Sequence, residues 1–307
     1  MRIVSVGEIL WDVIGANEYL GGAPLNFAAH AQKLGHEAIL VSAVGDDERG
    51  HRTLGCLQQR NLSTEFVPIL PGRSTGTAEV ELDLEGKPTF RIVRPAAYDF
   101  VMLTPKQLQR LAQLRPDWIY FGTLFNMSAQ ALDSTLTLLQ AVPSANHFYD
   151  VNLREGNWSL AVVEQLSSHA DVIKLSDSEA EFLDGSLNAN GQDNSVESLC
   201  CRWSDRYGCA TVCVTLGERG CAILSHGVYA EIPGYPVEVA DSVGAGDAFA
   251  AALLHGLEQG WDPVHLGRFA NSVGALVASR AGATADWNIN ECWPMIGERF
   301  SAAKTAG

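Results

Sequence analysis

Short apolar runs alternate along this chain with longer stretches whose apolar positions recur every three or four residues. The short runs predict strands at residues 3–7, 39–44, 118–122, 147–151, 172–175, 211–215 and 221–224, while the longer period predicts helices at 24–34, 104–114, 128–139, 160–168, 196–206, 245–257 and 263–278. Pro24 stands in the first turn of the first of these helices and Gly35 just past its end, the usual asymmetry of a helix start and stop. Runs such as Ile39-Leu40-Val41 lack the apolar–polar alternation of a half-wet strand, so both of their faces are expected to be buried. Strand and helix alternating on this scale predict an α/β fold: a doubly wound, mainly parallel sheet with helices on both faces.

One segment departs from that rhythm. In Thr75 to Val93, Val80, Leu82 and Leu84 alternate with Glu81, Asp83 and Glu85, and Glu85-Gly86-Lys87 reads as a turn. An antiparallel hairpin with one wet face is expected, part of a small sheet projecting from the main body and joined to it near residues 14–20. Residues 184–195, rich in Gly, Asn, Asp and Ser, read as a surface loop.

Charge and composition narrow the function classes. With 21 Lys and Arg against 36 Asp and Glu, the formal net charge is -15, a field that repels nucleic acid and anionic membranes. A small phosphorylated ligand remains compatible, because local dipoles and a metal ion can meet its charge. No run approaches the length of a membrane span, and Glu8 and Asp12 interrupt the first apolar stretch, which reads as a strand rather than a secretion signal. The seven cysteines form no CxxC pair, so reduced thiols in a cytoplasmic protein are expected rather than a zinc site or a disulfide framework.

The segment with the sharpest chemistry is Asp241-Ser242-Val243-Gly244-Ala245-Gly246-Asp247-Ala248-Phe249. Small residues just before an Ala-rich helix let an anion approach the unpaired N–H groups at the helix start, where the dipole also favours negative charge. A carboxylate at Asp247 would repel a phosphoryl group unless it had a task, and accepting the proton of an attacking hydroxyl is such a task. Helix capping is the plainer role for an Asp at such a place, and the surrounding Gly-Ala-Gly weighs against it. The segment lacks a third small residue where a dinucleotide fingerprint wants one and lies late in the chain; the lone Gly86-Lys87 pair precedes Pro, so a Walker A loop is absent too. Neither a G-x-S-x-G elbow nor paired metal-ligand histidines are present.

Together with Gly21-Gly22-Ala23-Pro24-Leu25-Asn26-Phe27-Ala28, Leu34-Gly35 and Gly45-Asp46-Asp47 with Gly50, this segment resembles the two signatures of the ribokinase-like (PfkB) carbohydrate kinases, in the family's order and across essentially the whole chain. The resemblance implies a phosphoryl site at Gly244, Ala245 and Gly246 with Asp247 as base. It implies sugar contacts from Asp12, Gly22 and Asn26. Asp12 can accept two hydrogen bonds from a diol, and Asn26 can both donate and accept. Asp150-Val151-Asn152-Leu153-Arg154 resembles a segment of fructokinase-like members, where Arg154 as a clamp would reach the transferred phosphoryl group or an anionic part of the substrate. Lys174-Leu175-Ser176-Asp177-Ser178-Glu179 occupies the place of a family motif in which Glu179 holds the water shell of Mg²⁺; Ser176 departs from the usual Asn. Val214 to Gly220 resembles the nucleotide-binding turn, so Thr215, Gly217, Gly220, Asn271 and Lys174 are expected on the nucleotide side. Asp241, with carbonyls near Ala281-Gly282, resembles a monovalent-cation (K⁺) site.

The expectation is thus a single ribokinase-like domain over residues 1–307, with a lid formed by about 12–20 and 72–100, that binds ATP and Mg²⁺ and phosphorylates a primary hydroxyl of a sugar. Fructose leads; ribose, 2-keto-3-deoxygluconate and a nucleoside stay open, as does a non-catalytic sugar-binding regulator. A homodimer through the lid is expected as well.

Overall fold

Ile3, Val4 and Val6 have no exposed surface in the computed structural model of the chain, as a strand covered on both faces requires. The structure describes residues 1–82, 88–187 and 195–297. Two units are distinguished: Met1–Ala29, Glu37–Asn146 and Arg154–Ser159 form the first, and His30–His36, His147–Leu153 and Leu160–Gly307 the second.

The first unit runs through β1 (Arg2–Val6), β2 (Leu10–Ile14), β3 (Asn17–Gly21), α1 (Ala23–Lys33, whose end counts with the second unit), β4 (Glu37–Val41), β5 (Val44–Gly45), α2 (Glu48–Gln59), β6 (Ile69–Leu70), β7 (Gly76–Leu82), β8 (Pro88–Val93), α3 (Pro105–Leu114), β9 (Trp118–Gly122) and α4 (Ala129–Ala141). β1 pairs in parallel with β4 and with β9, so that Val4 lies between Ile39 and Ile119. Leu25 and Ala28 of α1 and Leu57 of α2 pack on Ala38 and Leu40 of β4, and Phe27 stacks on Tyr120 with ring centroids 3.8 Å apart. Each large side chain buried in this way contributes about 1.5–3 kcal/mol by leaving water.

A separate four-stranded sheet has the order β3-β2-β7-β8. The expected hairpin is present as antiparallel β7 and β8; its turn at 85–87 lies outside the described residues. Residues 14–20, expected as a joining segment, instead belong to a second hairpin, β2–β3, with β2 parallel to β7. Gly45-Asp46-Asp47 ties down the start of β7. The Asp47 carboxylate accepts hydrogen bonds from Thr75 N (2.7 Å), Thr75 Oγ1 (2.7 Å) and Gly50 N (2.8 Å), the last capping α2.

The second unit contains β10 (Asn146–Asp150, whose first residue counts with the first unit), α5 (Leu160–Ser167), β11 (Val172–Ser176), α6 (Asp177–Leu187), α7 (Val196–Tyr207), β12 (Thr211–Thr215), β13 (Gly220–Ser225), β14 (Val228–Pro233), α8 (Ala245–Glu258), α9 (Pro263–Ala278) and α10 (Cys292–Ile296). β10, β11 and β12 are parallel, and β13 and β14 extend them antiparallel. Where a loop from residue 184 is expected, α6 continues to Leu187, and residues 188–194 lie outside the described residues. All seven cysteines are free, five of them buried, and burial pushes the Cys200 and Cys209 thiols up to about 12. Among the described residues no helix is long and apolar enough to cross a membrane.

Candidate active site

α8 starts where the chain turns through Gly244 at φ 81°, and no side chain caps it. A Cβ at this position would stand 2.1 Å from the carbonyl oxygen of Ala283, so only glycine fits. Asp247 lies three residues further on, half-buried in the first turn, past the position a capping residue occupies. Ala245 N donates to Ser242 O at 3.3 Å, and no capping side chain takes up the other backbone donors of the turn.

A loop behind Gly244 fixes this start. Asp241 accepts from Val243 N and Gly282 N, both at 3.0 Å, stapling the approach to α8 onto residue 282. His30, fully buried, accepts the Trp287 indole N–H at Nδ1 (3.0 Å), so its proton sits on Nε2 and is donated to Ala283 O at 2.9 Å. Burial holds this imidazole neutral, with its pKa driven down to about 4. Lys33 donates to the carbonyls of Thr284 and Ala285. Of the carbonyls expected near a monovalent cation, Gly282 O accepts from Ala285 N at 3.0 Å, so Asp241 acts here as a backbone staple first.

A buried ion pair lies close to the helix start. Lys174 Nζ donates to both carboxylate oxygens of Asp150, at 2.9 and 3.1 Å, and both side chains are almost entirely inaccessible. The same ammonium is 3.9 Å from where a Cβ on Gly246 would stand. Burial works against its charge, yet the field and hydrogen bonds of Asp150, with Glu179 and Asp247 behind them, hold its pKa above the ordinary lysine value. Glu179 closes a reciprocal capping box on α6: its Oε2 accepts from Ser176 N (2.7 Å) while Ser176 Oγ accepts from Glu179 N (3.3 Å). Its Oε1 accepts from Leu153 N at 2.5 Å. Ser176, where the family's usual residue is Asn, thus serves the cap through its hydroxyl.

Beside these groups a cleft of about 740 Å³ is lined by Thr215, Gly217, Gly220, Ala245, Gly246 and Asn271. The predicted nucleotide residues other than Lys174 meet the predicted phosphoryl residues Ala245 and Gly246 there; Gly244, Asp247 and Arg154 are not among the residues that line it. Asn271 holds the cleft wall: its Nδ2 donates to Ile232 O and Pro233 O, both at 3.1 Å. The apolar lining from Tyr235, Pro236, Val237 and Val239 went unread in the sequence, because no regular element carries it.

The predicted sugar residues belong to the first unit. Asp12 sits in the middle of β2, between Tyr19 of β3 and Ala78 of β7. Its Oδ2 lies 2.9 Å from where a Cβ of Gly21 would be. Gly22, at φ 111°, allows the chain to cross the Glu8 carbonyl, 2.4 Å from its own missing Cβ; the close approach seen there is to backbone. Asn26 is buried in α1, and Arg154 is exposed on the loop after β10.

The chain matches the family of pfkB carbohydrate kinases over residues 3–290, and it belongs to that family. It is 30% identical to fructokinase-2 of Solanum lycopersicum, over 92% of this chain and 91% of that one. It superposes on a Pyrococcus horikoshii sugar kinase solved with ATP, at TM-score 0.79 and 26% identity over 95% of this chain and 97% of that one. It also superposes on a Vibrio cholerae fructokinase solved with fructose, ADP and calcium, at TM-score 0.81 and 25% identity over 96% and 98% of the two chains.

Proposed function

We propose that this carbohydrate kinase moves the γ-phosphoryl group of ATP to a primary hydroxyl of fructose. The observation that carries the reading is the convergence of an uncapped glycine-rich helix start, a carboxylate in its first turn and a nucleotide-sized cleft within one unit. Likeness to an ATP-bound sugar kinase and a fructose-bound fructokinase supports the choice of donor and acceptor.

In this reading the nucleotide occupies the cleft between the 215–220 turn and α9, and its phosphates reach the start of α8 at Gly246. Asp247 takes the proton from the sugar hydroxyl as the hydroxyl oxygen attacks phosphorus, and ADP leaves. The backbone donors and the dipole of α8 stabilise charge on the transferring oxygens without having to reorganise. Asp12, Gly22 and Asn26 are the sugar contacts, and Arg154 the clamp, on the family resemblance. The exposed Ile14 and Tyr19 on the small sheet support its use as a lid and as the meeting face of two copies.

The residues present suit a water-mediated Mg²⁺. Each Glu179 oxygen accepts one backbone N–H and keeps lone-pair capacity for a water. Among the described residues no group of three His, Cys, Asp or Glu is arranged to grip a metal directly. When bound, Mg²⁺ offsets phosphate charge. Asp241 is the side chain we assign to a monovalent cation.

The test is sugar-dependent ADP release across fructose, ribose, 2-keto-3-deoxygluconate and nucleosides. Fructose should give the highest kcat/KM; a higher value for any other acceptor overturns the substrate. Asp247→Asn should lower kcat by about 10²–10⁴-fold with fructose binding retained in calorimetry. Undiminished turnover would remove the base.

A further inference from the structure

We infer that His30 is a positioning residue for phosphoryl transfer: by donating from Nε2 to Ala283 O at 2.9 Å, it fixes the carbonyl against which Gly244 and the start of α8 are set. The inference rests on the phosphoryl transfer proposed above and adds to it a residue of α1 that acts through backbone.

Three observations carry it. The oxygen that His30 holds is the same one that faces Gly244, since a Cβ there would stand 2.1 Å from Ala283 O. That carbonyl lies between α9 and residue 289, where the chain forms no helix or strand, and side chains hold it in place. Asp241 takes Gly282 N, His30 takes Ala283 O, and Lys33 takes the carbonyls of Thr284 and Ala285. Finally, the ring is itself oriented. The buried Trp287 donates its indole N–H to Nδ1 at 3.0 Å, which leaves the proton of the neutral ring on Nε2, toward Ala283.

Phe27 and Ala31, its neighbours on α1, are wholly buried hydrophobics, so an apolar side chain would fill the place of His30. What the imidazole adds is direction: it accepts at one end, donates at the other and is rigid between them. The path to the chemistry is short. Trp287 sets the ring, the ring sets Ala283, and Ala283 bears on Gly244. Gly244 O accepts from Ala248 N at 2.9 Å, closing the turn that carries Asp247. Misplacing a reacting group by about 1 Å costs on the order of 100-fold in rate, so small drifts of this carbonyl reach the reaction.

His30→Leu alone leaves the Trp287 N–H buried without its partner and is expected to fold poorly. The informative protein is the double variant His30→Leu/Trp287→Phe, which removes both polar partners. His30→Gln, able to accept from Trp287 and donate to Ala283, is its companion. Sugar-dependent turnover and amide hydrogen exchange over residues 244–248 read the outcome. In the double variant kcat should fall about 10–100-fold with the sugar KM within about twofold. Exchange over 244–248 should quicken about tenfold while residues 263–266, the first turn of α9, keep the wild-type rate. His30→Gln should recover most of both losses. If the folded double variant keeps wild-type kcat and exchange, His30 only fills space and the inference fails; losses in His30→Gln as large as in the double variant overturn it equally. A wild-type protein that phosphorylates no sugar removes the kinase reading instead, and the exchange pattern still judges His30.

Discussion

α8 and α9 are neighbours that begin in opposite ways. α9 opens with Asp262, whose Oδ1 accepts from Val264 N at 2.9 Å and His265 N at 3.0 Å, followed by Pro263 in the first turn. α8 opens with Gly244 in a left-handed conformation and no capping side chain. α2, α3 and α7 follow α9, with caps from Asp47, Thr104 and Ser195. A cap is worth about 1 kcal/mol; α4 and α10 also start without a capping side chain, but α8 combines that lack with a left-handed glycine and a start that lines the cleft at Gly246. A missing cap is therefore telling only where a strained glycine turn and a cleft accompany it, as they do at α8.

The sharpest way to break that comparison is Gly244→Ala. The new Cβ would stand 2.1 Å from Ala283 O and 2.6 Å from Ala283 Cα, and the residue would have to hold φ 81°. The left-handed conformation alone costs about 1–2 kcal/mol, and the clash must be relieved by moving either the loop or the helix start. Because Asp247 rides on that start, kcat should fall more than about tenfold, beyond what a loss of folded protein explains. Steady-state kinetics on protein shown to be folded by circular dichroism decide it; kcat within twofold of wild type would mean that the turn does not position the chemistry.

Much of this contrast was legible before any coordinates. Apolar runs without alternation placed Trp118–Gly122 and Thr211–Thr215 to the residue, and the 3.6-residue period did the same for Pro263–Ala278. α2 escaped because Glu-Arg-Gly-His-Arg-Thr-Leu-Gly-Cys-Leu-Gln-Gln buries only Gly50, Thr53 and Leu57 and so carries little apolar signal. β14 is an edge strand whose residues are mostly half-exposed or exposed, which erases the pattern of a buried strand. At the site, Gly244 to Asp247 and the 215–220 turn announce themselves because their function needs small residues in sequence. The Lys174–Asp150 pair and the grip of His30 on Ala283 do not, since the partners are 24 and 253 residues apart and meet only through the fold.

That grip makes the pH dependence of stability a second probe. The folded state holds His30 neutral with a pKa of about 4, below its ordinary 6.5. Between those values the unfolded chain takes up a proton that the folded chain refuses, so this contribution is complete above pH 6.5 and is lost as pH falls toward 4. At pH 4.5 the loss from this one ring is roughly 2–3 kcal/mol. His30→Gln keeps an acceptor for Trp287 and a donor for Ala283 but cannot titrate. Urea unfolding at pH 7 and 4.5 should show wild type losing more stability than the variant by that amount. Equal losses would mean that the ring does not stay neutral behind the phosphoryl site.

The smallest effect is the most diagnostic for the comparison itself. Asp262→Ala removes the cap of α9, leaves Val264 N and His265 N to water, and should cost about 1 kcal/mol, read as a lower midpoint in urea unfolding. Asp262 also holds His265, with Oδ2 2.5 Å from Nδ1, but both side chains are well exposed, so little further loss is expected from that pair. The cap is two turns and more along α9 from Asn271, which lines the cleft, and fraying of a first turn dies out over about one turn. Turnover and both KM values should therefore stay within about twofold of wild type. If uncapping α9 lowered kcat as strongly as distorting Gly244, the two helix starts would not differ in kind, and the bare start of α8 would be an ordinary frayed end with no claim on the chemistry.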